Sequence, residues 1–460
     1  MDENKNKKRT LLMTEGRPLS LLLQFTPPLL MSILINQVYG IVDTALVGRY
    51  LGKQALAGVG STGSLNFLVM GLVVGICNGF MIPIAQRFGA KQEVELRKTI
   101  RAGIRVGIGL AIIMTLIASL IAKPVLLLMN TPSNILPSAY QYIRIIFWGI
   151  PVTIAANLSS GLIRTLGDSK TPLLLAGIST VTNIFLDIIL VTVFHWGVSG
   201  AALATILSQV LTAVFSLIHI KHHLQFVLPK ANEAGPSRQH ILLLLYQGVP
   251  MGLQYSVTAI GGLILQAAVN GLGEDVVAAV AACGRVTGFL FCPFDALGTA
   301  MTVYAGQNMG ANLIRRIREG LRDAILMGAI YAVFAILILI FGGKYLLLMF
   351  IDPSETETIN LGIIYLRYAA AFCLCLLLVN TIRFVIQGMG YAGISVLSGL
   401  SELVARALAA LLLVPGIGFA GVCLANPTAW MFADVFLIAV YTILMKKHHG
   451  FGSGITAENK

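Results

Sequence analysis

Apolar runs of about twenty residues or more recur along this chain, and no other feature limits its fold so strongly. A helix needs about 20 apolar residues to cross a bilayer. In lipid only helices and closed barrels satisfy their own backbone. Twelve such runs can be read, roughly over residues 20–48, 54–83, 100–122, 136–163, 172–194, 198–220, 241–271, 276–307, 322–342, 358–387, 392–414 and 418–445. The 460 residues are 57% hydrophobic and only 11% charged, where soluble domains run near a quarter charged. The expected fold class is an all-α integral membrane protein with twelve transmembrane helices.

The net charge of +12 would suit nucleic acid in a soluble chain. Position argues for membrane lipid as the partner and against nucleic acid. Of 32 Lys and Arg, 22 fall on one side of the expected spans, while Arg49, Lys53, Lys123 and Lys344 fall on the other. That asymmetry is the positive-inside pattern. It places both termini in the cytoplasm of a multi-pass protein of the cell's inner (plasma) membrane, with the basic loops against anionic lipid. Met1–Arg17 is polar and the first apolar run is too long for a cleavable leader. All six cysteines lie in apolar runs, which reads as small buried residues and not a disulfide framework.

The chain repeats itself. AQRFGAKQEVELRKTIRAG from Ala85 aligns with GQNMGANLIRRIREGLRDA from Gly306, so that Gln86, Gly89, Ala90, Arg97 and Arg101 meet Gln307, Gly310, Ala311, Arg318 and Arg322. The same offset of 221 aligns LGKQALAGVG with LGEDVVAAVA, and Gly197 and Gly200 with Gly418 and Gly421. Two pseudo-symmetric six-helix lobes are therefore expected, residues 1–228 and 241–460, joined by a cytoplasmic linker at 229–240 (PKANEAGPSRQH). Six is even, so both halves enter the membrane in the same direction, as in one class of secondary transporters that bind substrate between parallel repeats.

No phosphate-binding G-x-x-x-x-G-K-[ST] loop, H-E-x-x-H or G-x-S-x-G motif is present. An enzyme is not expected, nor a cofactor, and a pump of this kind would draw on an ion gradient. Charged groups inside the spans are costly and usually serve a pathway or a partner. Five acids fall there: Asp43, Asp187, Asp295, Glu402 and Asp434. Glu402 and Arg406 stand four apart in the favourable order for an intrahelical pair, and a structural role fits them and Asp434 best. Asp295 admits either role. Asp43 and Asp187 have no basic residue within four positions. Tyr39 lies one turn before Asp43, and Asn183 one turn before Asp187. If the two helices face each other, these groups make an oxygen-rich pocket suited to one proton or a sodium ion; separate, hydrogen-bonded acids are the structural alternative.

These residues resemble those of the multidrug and toxic compound extrusion (MATE) family over nearly the whole chain. The resemblance rests on PPLLM with DTALVGRYLG in the first span, the duplicated A/G-Q-x-x-G-A with its arginines, and IRTLGDSKTP followed by NIFLD and GAALAT. It implies efflux of amphipathic, often cationic small molecules in exchange for H+ or Na+, by a monomer whose cavity opens alternately to either side. It also implies a cation site of Asp43, Tyr39, Asn157, Asn183, Asp187 and Thr205 in the N-terminal lobe, with Na+ as the one metal it would take, and a hinge at Pro28. A branch of the family places acids in the seventh and tenth spans. None occurs in Ile241–Gly271 or Thr358–Gln387 here. Gln254, Tyr255, Asn380 and Asp295 are the candidates for the substrate cavity. The alternative is a flippase for a lipid-linked saccharide, with Arg285, Arg367, Arg383 and Arg406 meeting an anionic headgroup. A passive channel would need neither the paired acids nor the repeat.

Overall fold

The structure, a computed structural model, describes residues 11–228, 230 and 233–452. Three linker positions, Pro229, Ala231 and Asn232, lie outside the described residues. Everything regular in the described chain is helical. Ten helices are long and apolar enough to cross a membrane, and two bent pairs raise the number of spans to twelve.

The first half comprises α1 (Pro18–Ser61), α2 (Gly63–Gly89), α3 (Glu93–Leu128), α4 (Leu136–Trp148), α5 (Ile150–Thr165), α6 (Lys170–Ile188) and α7 (Gly197–His223). The second comprises α8 (Arg238–Asn270), α9 (Glu274–Gly310), α10 (Ile314–Leu337), α11 (Gly343–Leu347), α12 (Thr356–Ala371), α13 (Cys373–Gly388), α14 (Ala392–Leu408), α15 (Val414–Ile417) and α16 (Phe419–Gly452). Most helices overrun the apolar stretches that announce them. The first continues to Ser61, interrupted at Gly52, where φ is 81°. The fourth and tenth spans are broken, by 47° between α4 and α5 and by 50° between α12 and α13.

The repeat is visible in the backbone. Left-handed φ values occur at Gly52 and Gly273, at Lys91 and Asn312, and at Gly197 and Gly418. Each pair is separated by the offset of 221 seen in the sequence. A short π-helical segment follows α6 at Ile189–Val193 and another follows α14 at Ala409–Leu413, almost at the same spacing. Two halves that turn and widen at equivalent places share one six-span plan.

By internal packing the chain forms two units. One joins residues 11–13 with Pro27–Ser256, and the other joins Thr14–Thr26 with residues 257–452. Both α1 and α8 are therefore divided, α1 beside Pro27 and α8 six residues after Pro250. In the first unit the early part of α8 lies directly on α2. A Cβ added to Gly75 would stand 2.7 Å from the Cα of Gly252, and one added to Gly79 would stand 2.5 Å from the Cα of Gly248. Two glycines four apart on each helix let the backbones touch, as small residues do in membrane helix pairs.

The described end of the linker is tied to the start of α3. Arg97, almost fully buried, donates from Nε to both carboxylate oxygens of Glu233 at 2.8 and 3.0 Å and from Nη1 to the Phe226 carbonyl at 2.9 Å. Arg101 donates to the carbonyls of Glu233 and Lys230 at 3.1 and 2.6 Å. His240 Nε2 and Glu95 Oε2 lie 2.9 Å apart.

Candidate ion site in the first half

Three elements build the site. The middle of α1 carries Tyr39 and Asp43, one helical turn apart, and the end of α6 carries Asn183 and Asp187 in the same relation. Thr205 comes from α7, and its Oγ1 shares a hydrogen bond of 2.9 Å with the Tyr39 hydroxyl. That bond holds α1 against α7 at the level of the carboxyls. Asp43 and Asp187 are neighbours, each acting on the other. This arrangement matches the facing pair more closely than two acids apart, each with its own hydrogen-bond donors.

The site lacks partners of its own. Asn183 and Asp187 are 1% and 2% exposed. Neither the Asn183 amide nor either carboxyl oxygen of Asp187 has a hydrogen-bond partner, and Asp43 Oδ1 has none. Among the described residues no Lys, Arg or His acts on either acid. Buried polar atoms are nearly always paired, and two carboxylates close together in low dielectric resist ionising together. Five orphaned atoms around two acids without a counter-charge offer the oxygen donors that a proton or a small cation requires. Oxygen donors of this kind suit H+ and Na+ alike.

Tyr142, on α4, was not foreseen. It is 8% exposed and lies within electrostatic reach of Asp43, Asp187 and Tyr39. The sequence held a sign of it. Ala139, Tyr142, Ile143 and Ile146 form one buried stripe on α4, and a tyrosine in such a stripe needs a polar neighbour for its hydroxyl.

The structure brings Tyr39, Asp43, Asn183, Asp187 and Thr205 together. Asn157 sits on α5 and donates its amide to the Thr153 carbonyl of its own helix at 2.8 Å. The backbone stays helical through Pro28, whose carbonyl accepts a 3.0 Å hydrogen bond from Ser32 Oγ. Gln254 and Tyr255 belong to the first unit, Tyr255 resting against Gly71 and Gly75. Asn380 and Asp295 belong to the second and are joined by a 3.0 Å hydrogen bond. Of the four arginines offered to a lipid headgroup, Arg383 and Arg406 are buried and both bind Glu402. That use of charge gives the flippase reading no added support.

The MatE family model matches residues 28–189 and again residues 250–412. Its double match follows the internal repeat. The chain is 31% identical over 340 residues to the probable multidrug resistance protein YoeA of Bacillus subtilis, covering 72% of this chain and 73% of that one. It is 29% identical over 361 residues to the probable multidrug resistance protein YpnP of the same organism, covering 78% and 80%. Among solved structures, a transporter of the MOP superfamily from Pyrococcus furiosus superposes with a TM-score of 0.88 at 21% identity, over 95% of this chain and 98% of that one. A MATE structure in the bent conformation gives 0.88 at 20% identity, over 96% and 98%.

Proposed function

This chain belongs to the MATE family of multidrug efflux transporters, and from that premise we propose that it is a secondary antiporter driven through the Asp43–Asp187 site. It exports amphipathic, often cationic compounds in exchange for H+ or Na+. It works as a monomer in the plasma membrane with both termini in the cytoplasm. The observation that carries the reading is the pair of neighbouring acids with five orphaned polar atoms and no counter-charge.

The residues suggest how coupling works. An ion from outside neutralises the pair and supplies the partners that Asp187 and Asn183 lack. The change is felt by α1, which carries Asp43 and is latched to α7 through Tyr39 and Thr205. Pro28, which leaves one backbone bond of α1 unmade, lets the helix yield below the site. Asn157 completes the ion's surroundings when α5 moves toward it. The halves 1–228 and 241–460, joined by the linker 229–240, then open the cavity to the other side, with Gln254, Tyr255, Asn380 and Asp295 toward the substrate. An ion shifts the two conformations only through its different affinity for each.

The test is ethidium transport in proteoliposomes with proton and sodium gradients imposed separately. Wild type should respond to one gradient and so name the ion. Asp43→Asn should fold normally and lose the gradient-driven transport. Full coupled transport by that variant overturns the proposal.

A further inference from the structure

The second unit holds an acid that nothing above uses. Asp434, on α16, is 6% exposed and its Oδ1 has no hydrogen-bond partner. Around it lies a charge network drawn from α9, α13, α14 and α16. Arg383 binds Glu402 through Nη2 and donates from Nε to Ser398 Oγ at 3.1 Å. Arg406 reaches the other oxygen of Glu402 at 3.2 Å and donates from Nε to Asn426 Oδ1 at 3.1 Å. Asp295 accepts from Asn380 at 3.0 Å and lies within electrostatic reach of Arg383. Arg383 is also the charged group that acts on Asp434. Cys375, on α13, is the other titratable neighbour of Asp434.

The charges do not balance. Two arginines face three acids: Asp295, Glu402 and Asp434. Glu402 is held by both guanidiniums, so one positive charge is left for two aspartates. Asp295 is the more exposed of the two, and its carboxyl has the Asn380 amide as a donor. Asp434 is buried, and an isolated ionised carboxylate there costs far more than a neutral acid.

We propose that the second half carries a proton-binding site at Asp434, separate from the Asp43–Asp187 site, and that the bound proton neutralises the Asp295–Arg383–Glu402–Arg406–Asp434 network. The two sites are not images of each other. At the repeat offset, Asp295, Arg383, Glu402, Arg406 and Asp434 correspond to Val74, Leu162, Val181, Phe185 and Ala213.

The test reads the proton directly and needs no transport. Infrared difference spectra of the purified full-length chain are recorded against pH in an Asp43→Asn/Asp187→Asn background, which silences the first site. A protonated-carboxyl stretch should remain at neutral pH, vanish in Asp434→Asn and survive in Asp295→Asn. Where Asp434→Asn fails to fold, Asp434→Glu should move the band. No band in the background, or one that ignores both changes at residue 434, overturns the proposal. A band seen in choline buffer and erased by sodium chloride overturns it too, since the site would then take a metal ion. Failure here leaves the antiport reading intact, because the background has already lost that site.

Discussion

The two halves turn, bend and widen at equivalent positions, yet their buried polar clusters have little in common. The first half gathers two acids with neutral neighbours and leaves five of their polar atoms unpartnered. The second gathers three acids and two arginines, and most of their atoms are paired. At the repeat offset, Tyr39, Asp43, Asn183 and Asp187 meet Ile260, Ile264, Val404 and Leu408. Neither cluster has a counterpart. The shared backbone plan fixes where helices bend and meet, while the placement of charge is free to differ. An open cluster with missing partners is suited to take and release an ion. A closed one is suited to hold helices together, and Asp434 is the exception inside it.

The largest expected effect lies in the closed cluster. Arg383→Leu leaves Glu402 with one guanidinium and two aspartates with none. Breaking a buried ion pair from one side costs about 3–5 kcal/mol, so this variant should melt far below wild type, or fail to accumulate as folded protein. A melting point within a few degrees of wild type would mean that the second half is as tolerant as the first.

The converse change sharpens the contrast. Among the described residues Asp43 is the one group in hydrogen-bonding reach of the Asp187 carboxyl, and an amide there can still donate to it, so Asp187→Asn removes a charge and strands no other group. Its effect on stability should stay within about 1 kcal/mol, the worth of one ordinary hydrogen bond, or should be favourable, while ion-driven transport is lost. A thermal scan read beside a transport assay checks both. A large loss of stability would assign Asp187 to the scaffold.

How much of this could be read in advance depends on what each residue meets. The span count and the repeat follow from hydropathy and an offset; the cost of charge in lipid marks out Asp43 and Asp187 but leaves open whether they meet, and the joint site is what the family resemblance implies. Gly52 falls in the gap between the runs 20–48 and 54–83, but the helix resumes and continues to Ser61; hydropathy is blind to the course of the backbone on either side of a single left-handed residue. The bends between α4 and α5 and between α12 and α13 fall inside unbroken apolar runs for the same reason. Glu402 and Arg406 were visible as a pair because four residues on a helix is a local spacing. Arg383, which binds the same carboxylate from nineteen residues away on another helix, was not, since tertiary pairing leaves no periodic mark. Tyr142 lay hidden because an apolar stripe facing lipid and one facing a polar site look alike until the neighbours are known.

The smallest expected effect contrasts the cytoplasmic ends. Arg97 and Arg318 are repeat equivalents, but Arg97 closes on a linker carboxylate. The Arg97 guanidinium holds Glu233 below the usual carboxylate range. A carboxylate so lowered contributes its stabilisation above its ordinary value and loses it as pH falls through the lowered one. The tie between α3 and the linker should therefore hold at neutral and mildly acid pH and release only below the ordinary carboxylate range. Glu233 is only partly exposed, but Arg97 keeps Glu93 and the Phe226 carbonyl as partners without it, so global stability should change little. Amide exchange over 233–240 is the sensitive measurement: it should rise several-fold in Glu233→Gln at neutral pH, and in wild type only under strong acid. Equal exchange in the two proteins at neutral pH would show that the backbone contacts from Arg101 hold the linker alone, and the contrast between Arg97 and Arg318 would then have no energetic content.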